Sequence, residues 1–179
     1  MKFTPVPLSG AAVVDLTIMA DDRGYFGRVW SESAAEALGY PSRWLVTSMS
    51  QNKRAGTLRG MHFQAAPHAE IKLVRCIKGA VFDVMLDLRP DSPTFCQWFG
   101  AELTPENQRA LYIPQGFAHG FQTLADDSEV FYQLSAEYAP AAGRGVRFDD
   151  PAFGIAWPRA VTMINERDRT YPDFTGRSA

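Results

Sequence analysis

The segment Ile113-Pro114-Gln115-Gly116-Phe117-Ala118-His119-Gly120-Phe121 joins two short apolar runs through Pro114 and Gly116, residue types that are common in turns. Similar runs recur along the chain and are separated by Gly, Pro, Asp and Asn. They cover residues 13–18, 45–50, 72–77, 80–88, 98–103, 110–113, 117–123 and 130–135. Many short, regularly spaced strands predict an antiparallel sandwich or barrel.

One helix interrupts this pattern near the N-terminus. Ser33-Ala34-Ala35-Glu36 has the sequence of a capping box, so we predict a helix over residues 34–38 that ends at Gly39. After Tyr138 the chain is rich in Pro, Gly and Asp, which indicates an irregular C-terminal wrap over the barrel. The sequence contains no repeat or linker, so residues 1–179 are predicted to form a single domain.

Lys78-Gly79 is a candidate two-residue turn between the strands at 72–77 and 80–88. Such a turn would pair Ile77 with Ala80 and fix the register of both strands. Counting back along the two strands would then make Lys72 and Asp83 diagonal neighbours on one face. Two opposite charges in that position predict either a buried structural ion pair or part of a site inside the barrel.

Composition excludes several function classes. The chain has 18 Lys and Arg against 20 Asp and Glu with no basic tract, so binding to nucleic acid or to an anionic membrane is not expected. No apolar run approaches the roughly 20 residues of a membrane span. Met1-Lys2-Phe3-Thr4-Pro5 lacks an apolar leader, and Cys76 and Cys96 lack metal-ligand spacing. We therefore expect a cytoplasmic protein with two unpaired cysteines.

Pro114, Gly116 and His119 form a Pro-x-Gly-x-x-His motif that is typical of the second half of the cupin barrel signature. Cupin metal sites usually also need a His-x-His pair, and here His62 is followed two residues later by Gln64. A site with His62, His119 and Glu70 as ligands is an alternative. With the metal set incomplete, the residues of the cavity are better suited to acid–base chemistry.

Several segments together resemble the dTDP-4-dehydrorhamnose 3,5-epimerase family, in the family's order and over nearly the whole chain. They are Asp22-Arg23-Gly24-Tyr25-Phe26, Gly56-Thr57-Leu58-Arg59-Gly60-Met61-His62-Phe63-Gln64, Lys72-Leu73-Val74-Arg75, Val81-Phe82-Asp83-Val84, Ser92-Pro93-Thr94-Phe95, Arg144-Gly145-Val146-Arg147-Phe148-Asp149-Asp150-Pro151 and Glu166-Arg167-Asp168-Arg169. The resemblance implies an all-β, cupin-type antiparallel jelly-roll barrel, usually a homodimer. It also implies an enzyme that inverts carbon centres beside the ketone of a nucleotide-diphospho 4-keto-6-deoxy sugar, without metal or organic cofactor.

The resemblance assigns a role to each matched residue. His62 matches the base that removes the hydrogen α to the ketone, and Asp168 matches the carboxylate that orients this base. Lys72, with Asp83 beside it, matches the cation near the ketone oxygen. Tyr132 matches the group that returns a proton from the opposite face of the sugar, a step that inversion requires.

Substrate-binding residues are implied in the same way. Arg23 and Arg59 match positions that hold the diphosphate and the sugar, a task suited to guanidinium groups. The other matched binding positions are Phe26, His119, Tyr138 and Arg167.

This chain also departs from the family pattern. Val46, Thr47, Ser48 and Met49 stand where the family commonly has Gln-x-Asn, Arg28 and Gly143 stand where Glu is common, and Arg167 replaces Lys. These positions concern the nucleotide and the outer substrate, so we expect a shifted or relaxed nucleotide preference with unchanged proton chemistry.

Three other functions are compatible with such a barrel. A nucleotide-sugar ketoisomerase, or an epimerase of one centre only, would share the fold. A metal-dependent cupin enzyme would require the histidines as ligands. A non-catalytic sugar-binding barrel would bind its ligand without exchanging the ligand's hydrogens.

Overall fold

The computed structural model describes residues 1–40 and 43–176, and these residues are built mainly from antiparallel strands. The strands are β1 (Lys2–Pro5), β2 (Ala12–Asp15), β3 (Ile18–Asp21), β4 (Gly24–Gly27), β5 (Val46–Asn52), β6 (Leu58–Gln64), β7 (Lys72–Lys78), β8 (Val81–Asp87), β9 (Trp98–Leu103), β10 (Arg109–Ile113), β11 (Phe117–Thr123), β12 (Ser128–Leu134) and β13 (Gly143–Gly145). The helices are α1 (Glu32–Ala37), a 3₁₀ turn (Pro140–Ala142) and α2 (Glu166–Arg169).

Two sheets face each other, and a third, two-stranded sheet stands apart. The six-stranded sheet has the order β1-β2-β10-β7-β12-β5, and the five-stranded sheet has the order β13-β6-β11-β8-β9. The separate hairpin pairs β3 with β4. Strands that follow each other in the chain, such as β5 and β6, β7 and β8, or β10 and β11, lie in opposite sheets. These crossings produce a jelly roll, and the predicted fold class is confirmed.

Alternation along the strands fills the space between the two large sheets. Val74 and Val130 come from the six-stranded sheet and Met85 and Phe121 from the five-stranded sheet, and all four are buried in one apolar cluster. Because side chains alternate in direction along a strand, the residues between these apolar positions point out of the barrel. The apolar cluster forms one part of the interior, and polar side chains occupy another part.

Each outer face is covered by a different part of the chain. Phe153, Ile155, Trp157 and Phe174 of the C-terminal region pack against the outer face of the five-stranded sheet. The predicted irregular C-terminal wrap is thus confirmed, with α2 inserted in it. Aromatic residues that flank α1 cover part of the outer face of the six-stranded sheet; they are Trp30, Tyr40 and Trp44.

The predicted hairpin at Lys78-Gly79 is wrong. β7 pairs with β10 and β12, whereas β8 pairs with β9 and β11, so Ile77 and Ala80 are not partners. The reason is that the backbone of Ala80 has other partners. Its N–H donates to Oγ of Ser128, and its carbonyl oxygen accepts from the Ser128 hydroxyl and from the Leu124 N–H. The two strands still share an interior because their sheets face each other.

The N-terminal helix differs from the prediction at its start. Ser31 is the N-cap residue, so Ser33 lies inside α1 and the predicted capping box is wrong. Its Oγ lies 3.4 Å from that of Ser31, and no side-chain hydrogen bond caps the helix. The predicted end is correct, since Gly39 follows the helix with a φ of +81°, in the left-handed region that glycine adopts at low cost.

Candidate active site

A cavity of about 330 Å³ opens at one end of the barrel interior, between the two large sheets. Its described lining residues come mainly from β6 and β11 on one side and β7 and β12 on the other. They are Arg59, His62, Phe63, Gln64, Glu70, Lys72, His119, Phe121, Tyr132, Leu134, Tyr138, Gly143, Arg144, Asn165 and Arg167. Seven residues that the sequence assigns to the site therefore lie around one cavity, which could hold a small polar ligand.

His62 and Asp168 form the first of two imidazole–carboxylate pairs. Nε2 of His62, on β6, lies 2.6 Å from Oδ1 of Asp168, on α2. The Gly60 N–H donates to Oδ2, and Asn165 caps α2 by accepting from the Asp168 N–H. Burial acts to raise the pKa of Asp168, but the hydrogen bonds from His62 and Gly60 outweigh it and hold this pKa below its usual range.

The consequence for His62 is a defined orientation and a defined basic atom. Asp168 is ionised near neutral pH and accepts the hydrogen bond from Nε2–H, which leaves the lone pair of a neutral imidazole on Nδ1. The His62 side chain is 41% exposed, whereas the Asp168 side chain is fully buried. A ligand can therefore reach the imidazole of His62, and the carboxylate of Asp168 holds the imidazole from its buried side.

His119 and Asp83 form the second pair, beside the first in the five-stranded sheet. Nε2 of His119 lies 2.9 and 3.1 Å from the two carboxylate oxygens of Asp83, and both side chains are buried. His119 is also the register partner of His62 across β11 and β6. Asp83 thus bonds a cavity-lining histidine and does not line the cavity itself.

Lys72 has a different partner from the one predicted. Its Nζ lies 3.2 Å from Oε1 of Glu70 and donates to the carbonyl oxygen of His62 at 3.2 Å. Asp83 belongs to the opposite sheet, so the predicted Lys72–Asp83 pairing is wrong for the same reason as the hairpin on which it rested. Lys72 nevertheless lines the cavity.

Tyr132 reaches the cavity from the six-stranded sheet. Its hydroxyl lies 3.0 Å from Oγ of Ser50, and its ring makes an edge contact with His119 at a centroid distance of 6.2 Å. Burial raises the pKa of Tyr132 well above its usual value. The phenol is therefore protonated at neutral pH and can donate a proton or a hydrogen bond.

Arginines supply positive charge around the cavity. Arg59 is held by Asn52, whose Oδ1 accepts from Nε at 2.7 Å. The Arg167 guanidinium lies 5.8 Å from the centroid of the Tyr171 ring, and Arg144 also lines the cavity. Together with the exposed Tyr138, these groups suit an anionic ligand with an aromatic portion.

Arg23 and Phe26 lie outside the cavity of their own chain. Both belong to the β3–β4 hairpin, where Arg23 forms an ion pair with Asp21 and Phe26 is 61% exposed. The edge strand β5 carries Val46, Thr47, Ser48 and Met49, which stand where the family commonly has Gln-x-Asn, and these residues also do not line the cavity. Their predicted roles at the nucleotide end remain predictions.

Sequence reasoning missed several residues in or beside the cavity. Arg144 and Asn165 line it and Ser50 contacts Tyr132, but none of the three is a predicted site residue, and Glu70 is considered only as a metal ligand. Gln64 and Glu70 lie close in sequence to His62 and Lys72, which is a signal that could have found them. Ser50 contacts Tyr132 because β5 pairs with β12, a pairing that the sequence does not reveal.

The histidines do not form a metal cluster with other ligands. Within the described parts of the chain, no three or more His, Cys, Asp or Glu side chains are grouped as metal ligands would be. The two histidines that line the cavity, His62 and His119, are instead each bonded to one carboxylate. Such pairs are suited to proton transfer.

The family model described as dTDP-4-dehydrorhamnose 3,5-epimerase matches residues 5–176. The chain belongs to this family. A family member from Sinorhizobium fredii, a dTDP-4-dehydrorhamnose 3,5-epimerase, is 39% identical over 97% of this chain and 90% of its own. A dTDP-4-dehydrorhamnose 3-epimerase from Streptomyces niveus is 36% identical over 94% of this chain and 82% of its own.

Solved structures of the family agree with the fold. The crystal structure of the Bacillus anthracis dTDP-4-dehydrorhamnose 3,5-epimerase, with TDP and pyrophosphate bound, matches with a TM-score of 0.93 and 36% identity. The match covers 97% of this chain and 99% of that one. This chain is therefore an isomerase of the dTDP-4-dehydrorhamnose 3,5-epimerase family. Within residues 1–40 and 43–176, no helix has the length and apolar character needed to cross a bilayer.

Proposed function

We propose that this chain epimerises a dTDP-linked 4-keto-6-deoxy sugar at carbon centres beside the ketone, with His62 as the base and Tyr132 as the acid. One observation carries the proposal: an imidazole oriented by a carboxylate and a protonated phenol reach the same cavity from opposite sheets. Inversion needs two groups that address opposite faces of one carbon, and this arrangement supplies them.

The first step is removal of a proton. Nδ1 of His62 takes the hydrogen on the carbon next to the ketone, and the bonding electrons move to the ketone oxygen to form an enolate. Asp168 stabilises the imidazolium that results. The ammonium group of Lys72 is suited to stabilise the enolate oxygen, because its charge acts on negative charge that develops only as the reaction proceeds.

The second step returns a proton to the opposite face. Tyr132 donates its hydroxyl proton to the enolate carbon, and the phenolate then regains a proton from solvent while His62 releases its own. The raised pKa of Tyr132 fits a donor that keeps its proton until a strong base such as an enolate is present.

The anionic part of the substrate is assigned to the arginines. Arg59, Arg144 and Arg167 line the cavity, and guanidinium groups bind phosphate oxygens in pairs. A nucleoside diphosphate is consistent with the TDP and pyrophosphate bound in the Bacillus anthracis relative. His119 and Tyr138 are the remaining binding groups in this proposal.

The site is completed, in this proposal, by a second copy of the chain. The hairpin exposes Ile18, Met19, Tyr25 and Phe26, and together these side chains form an apolar surface that is unusual for a monomer. A homodimer would place Arg23 and Phe26 at the partner's cavity.

A cytoplasmic location fits the two free cysteines, Cys76 and Cys96, which a reducing compartment would preserve.

Epimerisation at one centre only is the second candidate, because the Streptomyces niveus relative is a 3-epimerase and is 36% identical to this chain. One experiment tests both candidates. The purified chain is incubated in deuterated water with 4-keto-6-deoxy sugars linked to thymidine, uridine, cytidine and guanosine diphosphates, and the products are analysed by NMR. Deuterium at both carbons with inversion supports the 3,5-epimerase, whereas deuterium at one carbon supports the single-centre enzyme.

Two results would contradict the proposal. Binding of these sugars without hydrogen exchange would indicate a binding protein. Loss of turnover after treatment with a chelator, with recovery on adding metal back, would indicate a metal-dependent cupin.

A further inference from the structure

Glu70 carries an unusual charge for its position. Among the described residues that line the cavity it has the only carboxylate, and the other fully charged side chains are the cations Arg59, Lys72, Arg144 and Arg167. Its side chain is only 10% exposed. A carboxylate buried to this extent is costly to desolvate and would repel an anionic ligand, so its presence at this position needs a physical reason.

Each carboxylate oxygen of Glu70 faces a different nitrogen, although Nε2 of Gln64 also lies 3.2 Å from the carbonyl oxygens of His68 and Glu137. Oε1 of Glu70 faces Nζ of Lys72 at 3.2 Å, and Oε2 accepts from Nε2 of Gln64 at 3.2 Å. Gln64 cannot reverse its amide without loss, because its Oε1 accepts from the Ala139 N–H at 2.7 Å. Two donors thus point at position 70, and a carboxylate offers one oxygen to each, whereas an amide side chain has a single acceptor oxygen.

The same geometry fixes the direction of the Lys72 ammonium group. Its two described partners are the carboxylate of Glu70, in an ion pair, and the backbone carbonyl of His62, which accepts a hydrogen bond. An ammonium group has three N–H donors, so donor capacity is left for a ligand in the cavity. A lysine ammonium group sits at the end of a flexible four-carbon stem, so without these two partners it would sample many positions.

We infer that Glu70 is a positioning residue, which holds Nζ of Lys72 where the enolate oxygen forms. This inference rests on the proposed function of Lys72 in stabilising that enolate. Gln64 anchors the carboxylate, Glu70 anchors the ammonium, and the free N–H of Lys72 contacts the substrate. An interaction aligned in advance with the transition state affects the rate of the chemical step more than the affinity for substrate.

The first test is Glu70→Gln, which keeps the shape but removes one acceptor oxygen and the charge. We expect kcat to fall on the order of 10-fold, with KM changed by less than about 3-fold. Glu102→Gln is the matched control, because Glu102 is exposed on β9 and does not line the cavity. A rise in KM at unchanged kcat would overturn the inference, since Glu70 would then bind the sugar directly.

The second test asks whether Glu70 acts through Lys72. In a Lys72→Ala background, Glu70→Gln should cause no further loss of kcat, because the group that it positions is gone. An equal fold-loss in both backgrounds would show that Glu70 acts independently of Lys72 and would overturn the inference.

The third test does not depend on turnover. The chain has four lysines, Lys2, Lys53, Lys72 and Lys78, so ¹⁵N-labelled lysine gives few side-chain signals and Lys72→Ala assigns the relevant one. ¹⁵N relaxation should report an ordered Lys72 ammonium group in the wild type and a mobile one in Glu70→Gln. Unchanged order in the variant would overturn the inference even if the wild type turned over no sugar, a result that would contradict only the proposed function.

Discussion

Nε2 of His62 lies 2.6 Å from Oδ1 of Asp168, a residue 106 positions later in the chain, and this contact joins the barrel to its C-terminal wrap. Three features support the carboxylate: α2 carries it, the Asn165 side chain caps that helix, and the Gly60 N–H donates to its second oxygen. The orientation of the proposed base, His62, thus depends on α2, a four-residue helix that lies outside the barrel interior.

Asp168→Asn tests this dependence. The amide keeps the shape but has no charge with which to stabilise an imidazolium, and it can turn its NH₂ group toward His62. We expect hydrogen exchange and inversion to slow together by on the order of 10²- to 10⁴-fold. Both rates are measured by NMR in deuterated water. Asp173→Asn, an exposed carboxylate that bonds Arg147 in the same wrap, is the control. Loss of inversion with normal exchange would contradict the assignment of Asp168 to the base.

Lys72→Ala tests the stabilisation of the enolate. The ammonium charge interacts most strongly with the oxyanion of the transition state, so kcat should fall by on the order of 10²- to 10³-fold with a smaller change in KM. Steady-state kinetics with the wild type and with Lys78→Ala as control provide the measurement, because Lys78 lies outside the cavity. A selective rise in KM would make Lys72 a group that binds the substrate.

A mixing experiment tests whether a second copy completes the site. Arg23→Ala and His62→Ala are each expected to be inactive alone. If Arg23 of one copy serves the cavity of the other, a mixed dimer contains one site with both substitutions and one site with neither. Unfolding the two variants together and refolding them should then restore about a quarter of the wild-type activity, since about half of the dimers are mixed. No recovery, with mixed dimers shown by mass spectrometry, would place Arg23 at its own chain's cavity or outside the mechanism.

Asp87 allows a prediction about stability that is separate from function. It is buried and accepts hydrogen bonds from Arg89, Ser92 and Thr94. Burial acts to raise its pKa, but these bonds lower it from 3.8 to about 2. A lowered pKa in the folded state stabilises the fold above the unfolded-state pKa, and this contribution disappears as the pH falls through the folded-state value.

Asp87→Asn should therefore destabilise the protein at pH 7 by on the order of 2–4 kcal/mol, because it leaves the Arg89 charge and the hydroxyls without their acceptor. The difference in unfolding free energy between wild type and variant should narrow as the pH falls from about 4 to about 2. Urea unfolding at a series of pH values measures it, with the exposed Asp91→Asn as control. A difference that is independent of pH would mean that Asp87 contributes by packing alone.

Local patterns in the sequence predicted most of the strands and the side chains that face the interior. The alternation that places Tyr132 beside Val130 depends only on the period of a strand, and it agrees with the structure. Strand pairing was not predictable in this way. A two-residue link such as Gly79-Ala80 is compatible with a hairpin and with a crossing between sheets, and the contacts of Ala80 with Ser128 and Leu124 decide between them.

The same limit applies to the site. The motif order indicated His62, Lys72, Tyr132 and Asp168, but not which carboxylate accompanies which cation. Glu70, two residues before Lys72, is its partner, and Asp83 instead accompanies His119 across β8 and β11. Contacts between distant segments depend on how the strands pair, and local sequence patterns do not reveal that pairing.

Tyr132→Phe, compared with His62→Ala, tests the two-face mechanism directly. His62→Ala removes the base, so both deuterium incorporation and inversion should disappear; Tyr132 cannot replace it because its raised pKa keeps the phenol protonated near neutral pH. Tyr132→Phe leaves His62, Asp168 and Lys72 in place, so the enolate still forms and deuterium still enters the substrate from the face of His62. Inversion should fall by on the order of 10²-fold or more, because only the donor on the other face is lost.

Ser50→Ala removes the hydroxyl that lies 3.0 Å from Tyr132 and should cause a smaller loss, which controls for changes in packing. The measurement is the ratio of exchange to inversion for each variant, by NMR in deuterated water. If Tyr132→Phe inverts its substrate at close to the wild-type rate, Tyr132 is not the acid, and another group on the six-stranded sheet must deliver the proton.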